Sequence, residues 1–76
     1  MITGKSLKAL RLALGYTGEQ MAKYMYTTKQ TISAIETGKT STLYARNCYR
    51  LVILERIETL DDEDYDRMIA LYNTLS

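Results

Sequence analysis

The apolar positions of this 76-residue chain fall into stretches of helical period, with almost none of strand period. Leu7, Leu10 and Leu14 recur at helical spacing, and Gly15 follows as a residue able to turn left-handed beyond a helix end. That predicts a first helix over residues 4–14. Thr17-Gly18-Glu19-Gln20 has the form of a capping box, with Thr at the cap and Gln three residues on. It opens a second helix with Met21, Ala22 and Met25 as inner face. Thr27-Thr28-Lys29-Gln30 offers another cap, Ile32 and Ile35 form the stripe of a third helix, and Gly38 closes it. These three segments are short, with connections of about two to four residues.

After Lys39-Thr40-Ser41-Thr42 no breaker occurs until Asp61. Leu43 or Tyr44, Cys48, Leu51, Leu54 and Ile57 make one face of a long fourth helix, and Val52, Ile53 and Leu60 widen it beyond a single stripe. Asp61-Asp62-Glu63-Asp64 then opens a last helix with Tyr65, Met68, Ile69, Tyr72 and Leu75 on one side. The class is all-α: a five-helix bundle. Apolar surface beyond the needs of one small core points to a second subunit. The expected dimer interface is Val52, Ile53, Leu60, Ile69, Tyr72 and Leu75.

At 8.7 kDa the chain holds one domain, 1–76, and a chain of this size hides only about 60% of its unfolded surface on folding. Residues 43–76 are expected to complete the core and form the dimer. The absence of His removes imidazole catalysis and His-ligated metal sites, and one Cys closes no internal disulfide. No nucleophile–base pair or phosphate loop is present, so neither an enzyme nor a cofactor is expected. Asp61 to Asp66 suits helix capping better than metal binding. Tyr24, Tyr26, Tyr44 and Tyr49 suit amphipathic helices better than base stacking, and Cys48 suits a buried thiol. The longest aliphatic run, Leu51 to Leu54, is far short of the roughly 20 residues that span a bilayer. With no leader-like apolar stretch at the start, a cytoplasmic protein is expected, with no membrane and no small-molecule substrate as partner. Charge separates by halves. Residues 1–50 carry eight Lys and Arg against two Glu, net +6, and residues 51–76 carry two Arg against seven acids, net −5. A basic half joined to an acidic one suggests one surface that faces a polyanion.

The second and third segments have the layout of a helix-turn-helix, with a small residue, Ala22, on the inner face and a tight turn before the Thr pair. TGEQMAKYMYTTKQTISAIETGKT resembles the helix-turn-helix of the phage-repressor and Cro-like family of small DNA-binding regulators. The resemblance covers roughly residues 4–42 and includes Arg11, Ala22 and the Glu36-Thr37-Gly38-Lys39 ending. It implies a third helix in the major groove of double-stranded DNA, with Lys29, Gln30, Ser33 and Ala34 facing the bases. Gln can pair two atoms of an adenine edge, and Lys can donate to guanine or phosphate. Thr17, Thr28, Lys39, Thr40, Ser41 and Arg46 are then expected on the DNA backbone. Arg11 and Glu36 would form a structural pair between the first and third helices. A homodimeric repressor that blocks polymerase, of phage or mobile-element origin, goes with the resemblance. Two positions depart from the family pattern: the turn carries Tyr26 in place of Gly, and Gly18 stands where Gln commonly meets a phosphate. The alternative is an interaction module that binds a partner repressor or toxin through its C-terminal helices.

Overall fold

The computed structural model describes residues 2–39 and 42–76. Among these residues five helices follow one another: α1 (Gly4–Ala13), α2 (Gly18–Tyr24), α3 (Lys29–Thr37), α4 (Leu43–Ile57) and α5 (Asp62–Leu75). No strand occurs among the described residues. Every helix starts from a side chain that accepts a backbone N–H: Thr3, Thr17, Thr28, Thr42 and Asp61. Each such cap is worth about 0.5–2 kcal/mol against Ala. The capping box is complete, since Gln20 N–H donates to the Thr17 hydroxyl at 3.1 Å and Thr17 N–H to Gln20 Oε1 at 2.8 Å. α1 ends as expected, on Gly15 at φ +82°. The Gly15 and Tyr16 N–H groups bond back to Leu12 and Arg11 carbonyls, which satisfies two otherwise orphaned acceptors.

The core is shared by all five helices. Leu7 and Leu10 of α1, Met21 of α2, Ile32 and Ile35 of α3, and Tyr49, Ile53 and Ile57 of α4 are sealed from solvent, with Met68 of α5 nearly so. α1 is the hub: it packs against α3, α4 and α5, while α2 rests on α3. Gly4 makes one of these approaches possible. A side chain there would strike the carbonyl oxygens of Ile35 and Glu36, the latter at 2.7 Å.

The core register of α4 differs from the one its apolar spacing favours. Tyr49, Ile53 and Ile57 face inward, whereas Leu43, Tyr44 and Leu51 are exposed and Cys48 is half-buried rather than enclosed. Only Ile57 belongs to both patterns. The wide apolar arc permits either face, and the polar partner waiting inside for Tyr49 decides between them. Ile53 is therefore corrected as an interface residue: it is 0% exposed within its own chain and has no surface to offer. Val52, Leu60, Ile69, Tyr72 and Leu75 are half-buried against the same core, and Tyr72 accepts a hydrogen bond from Arg50 at 3.3 Å.

That polar partner is Glu36. Arg11 grips its carboxylate with two bonds, Nε at 2.8 Å and Nη2 at 3.1 Å, and Nη1 donates to the Tyr16 carbonyl at 2.9 Å. Tyr49 adds a short hydroxyl bond to the same carboxylate. The Arg11 and Glu36 side chains are only 10% and 6% exposed. The Glu36 carboxylate raises the Arg11 pKa, with burial opposing it, and burial first and Glu36 second push the Tyr49 phenol well above its ordinary value. Glu36 also sits near the C-terminus of α3, where a carboxylate opposes the helix dipole and needs a cation beside it.

Gly4→Ala should destabilise by about 1–3 kcal/mol through overpacking. Gly18→Ala, whose new methyl meets only Lys29 Cγ at 3.6 Å, should be neutral or slightly stabilising. Thermal melts of both variants check the contrast. Arg11→Met should cost about 3–5 kcal/mol by stranding a buried carboxylate, and adding Glu36→Leu should recover part of the loss. Strictly additive effects in that double-mutant cycle would contradict the coupling. Stability should also fall as pH rises past about 10, the ordinary Tyr value. The unfolded chain then releases the Tyr49 proton while the folded chain keeps it. Tyr49→Phe should remove that part of the slope, as read from denaturant titrations on either side of about pH 10.

Candidate nucleic-acid interface

α2 and α3 meet through a turn whose last α2 carbonyls are closed from beyond the helix end. Tyr26 N–H bonds to the Lys23 carbonyl at 3.3 Å and Thr27 N–H to the Ala22 carbonyl at 2.9 Å. This closure needs a left-handed residue between, and Tyr26 supplies it at φ +54°. The departure from Gly at this position thus keeps a left-handed turn and adds a strain of about 1–2 kcal/mol. The Tyr26 ring is 97% exposed, so its own burial does not offset that strain. Ala22 is buried on the inner side of α2, and Ile32 and Ile35 anchor α3 beneath it.

With Ile32 and Ile35 turned inward, the opposite side of α3 is open. Lys29, Gln30, Thr31 and Ser33 are exposed, and Ala34 is half-buried. Gln30, Thr31 and Ala34 form one wall of a shallow groove whose other wall is Thr42 and Ala45, at the start of α4. Ala34 therefore lies toward the groove floor, behind the more prominent Gln30 and Ser33. Thr31 closes the cap: its N–H donates to the Thr28 hydroxyl at 3.2 Å and the two hydroxyls lie 3.1 Å apart. α3 has no acidic residue in its first turn, so its positive end is uncompensated. The Lys29 stem passes Gly18 at ordinary contact distance, its Cγ 3.6 Å from where a side chain at position 18 would begin.

Of the residues expected on the DNA backbone, Thr17 and Thr28 cap α2 and α3, each with a hydroxyl acting as acceptor. Lys39 is exposed just past Gly38, which ends α3 at φ +83°. Thr40 and Ser41 lie outside the described residues. Arg46 is half-buried in the first turns of α4, and its Nε is enclosed without a hydrogen-bond partner among the described residues. The structure thus brings Lys29, Gln30, Ser33 and Ala34 onto α3 beside the α4 start, with Arg46 next in sequence to Ala45 of the groove wall.

Two features of the scaffold are absent from the sequence pattern. Arg56, near the end of α4, lies over the Tyr24 ring at 4.3 Å and donates from Nε to the Tyr16 hydroxyl at 3.2 Å. Tyr16 and Tyr24 rings are themselves 5.2 Å apart and tilted. This cluster ties both ends of α2 to α4. Tyr49 is the second, a core residue rather than amphipathic surface. A long-range hydrogen bond or a cation above a ring leaves no periodic trace in the chain. No helix among the described residues is long and apolar enough to cross a membrane.

Comparison with known proteins bears on the same segment. No curated protein matches the chain. No solved structure matches it either. A family model described as helix-turn-helix matches residues 7–44, half of the chain, from α1 through the start of α4. The two capped helices, the left-handed turn, the open face of α3 and this match together place the chain in the helix-turn-helix family of phage-repressor and Cro type, a family of DNA-binding regulators.

Proposed function

We propose that the protein is a sequence-specific transcriptional repressor that binds double-stranded DNA as a homodimer, with α3 in the major groove. The observation that carries this reading is the open face of α3. Gln30 stands there between Lys29 and Ser33, beside an uncompensated helix N-terminus. A planar amide, an ammonium and a hydroxyl on one helix face suit hydrogen bonding to base edges. Ala34 offers a methyl group at the back of the same face.

The backbone set is Thr17, Thr28, Lys39, Thr40, Ser41 and Arg46. Thr17 N–H is already held by Gln20, so its share of a phosphate contact falls to the hydroxyl proton. Arg46 is half-buried and follows Ala45 at the groove edge, and a guanidinium at that edge suits a phosphate. The net +6 of residues 1–50 supports an anionic partner for the half that contains both sets. A single two-helix unit reaches one half-site, and a second copy doubles the contacts. Repression follows if the bound dimer occupies a promoter and excludes polymerase.

Gln30→Ala should weaken binding by about 1–3 kcal/mol and relax base preference at one position per half-site. Arg46→Ala should weaken all sequences alike and flatten the salt dependence by about one unit for each phosphate it no longer neutralises. Titrations at several salt concentrations, on a site selected from random DNA and on single-base variants of it, measure both. Salt-independent retention of DNA would favour the protein-interaction module instead. Base preference that moves with Arg46 and not with Gln30 would reverse the orientation given to α3.

A further inference from the structure

We infer that Lys29 is a phosphate anchor serving the leading end of α2, and not a reader of base edges. This rests on the proposed docking of α3 in the major groove and changes the task of one residue on its open face. That face has two flanks. Gln30 and Ala34 lie about 100° round the helix from Lys29 and Ser33. Gln30 and Ala34 wall the groove against Thr42 and Ala45 of the α4 start, and Lys29 takes no part in it. The Lys29 flank faces α2, where the stem of the side chain passes Gly18.

The position of Lys29 in its helix sends the side chain that way. It is the first residue of α3, and helical side chains lean toward the N-terminus of their own helix. The stem therefore runs back toward α2 rather than forward along the groove. Beyond Cγ, the rest of the chain puts the ammonium within reach of the first turn of α2.

The chemistry of that turn selects the ligand. When a helix-turn-helix docks on DNA, the first helix of the pair crosses the sugar–phosphate backbone. From Leu12 to Ala22 the chain has no Lys or Arg, and Glu19 in the first turn of α2 is exposed. Gly18 has no side chain, and Thr17 N–H is held by Gln20. The leading end of α2 thus brings a carboxylate to the phosphates and no cation of its own. Lys29 supplies that charge from the next helix. The ion pairs among the described residues are Arg11–Glu36 and Arg67–Asp64, so the Lys29 ammonium is not committed to Glu19. An ammonium is a compact charge with rotatable donors, which suits a phosphate oxygen met from the side. The planar amide of Gln30, on the other flank, keeps the geometry for a base edge.

Binding titrations over a salt series, on a selected site and its single-base variants, test this with Lys29→Ala alone and combined with Gly18→Lys. Lys29→Ala should flatten the dependence of log affinity on log salt by about 0.9. Affinity ratios between the selected site and its variants should stay within about twofold, whereas a lost base contact would change one ratio roughly fivefold or more. Adding Gly18→Lys should restore most of the lost salt dependence, because it returns a cation to the same turn from the neighbouring backbone. A changed ratio at one base position makes Lys29 a base reader and overturns the assignment. An unchanged salt dependence leaves Lys29 off the DNA, and a flattened one that Gly18→Lys does not restore puts its phosphate elsewhere. Either result overturns the assignment too. Failure of the proposed function is read separately and first, from a wild type that retains no DNA or shows no preference among sites, and this inference falls with it.

Discussion

A single buried carboxylate sets the geometry of this protein. Glu36 accepts two bonds from Arg11 and one from Tyr49, so α1, α3 and α4 converge on it. Arg11 extends the same network to the loop before α2 through the Tyr16 carbonyl. A charge this enclosed tolerates few arrangements, since any displacement that loosens one bond leaves a desolvated ion. Hydrophobic burial supplies the bulk of the driving force, but it is non-directional. The carboxylate contributes direction, and with it the angle at which α3 stands out from the bundle.

Scaffold and open face are accordingly separated on α3 itself. Ile32, Ile35 and Glu36 are committed to the interior, while the side chains of Lys29, Gln30 and Ser33 are turned to solvent. Residues on the open face can therefore change without cost to the core. The supporting helix α2 is too short to be stable alone, and is held by its capping box at one end and by Arg56 over Tyr24 at the other. Nothing in α2 needs to be strong. It needs only to be fixed.

Local chemistry is legible in the chain, and non-local chemistry is not. Caps at Thr17, Thr28 and Asp61, breaks at Gly15 and Gly38, and the inner faces of α1 and α3 follow from spacings within a few residues, and the structure has them all. The inner face of α4 escapes periodicity because its apolar arc is wide enough for two registers, and the choice lies with Glu36, thirteen positions before Tyr49. The burial of Ile53 is hidden for the same reason. Gly4 gives no signal, since its role is defined by carbonyls of α3 that approach it only in the folded chain. The departure at Tyr26 is visible in the chain, but the persistence of the left-handed turn with it is visible only in the structure. For the α3 face, sequence and structure agree on which side is open, and the periodicity of Ile32 and Ile35 contains that information.

The closure of Arg56 on Tyr16 and Tyr24 has a consequence for the order in which the chain can fold. The partners of the Arg56–Tyr16 bond are 40 residues apart, against 25 for Arg11 and Glu36. Helices and their caps form on local contacts and quickly, and a chain without Pro has no slow isomerisation phase to delay them. The first three helices can thus assemble around Arg11 and Glu36 while α4 is still loose. The far end of α2 is locked only when the last turn of α4 arrives, so this 40-residue loop closes after the 25-residue one and carries its entropy cost then. During synthesis, the segment that belongs to the DNA-binding family emerges ahead of the residue that rigidifies it. The recognition unit matures late, although it is made early.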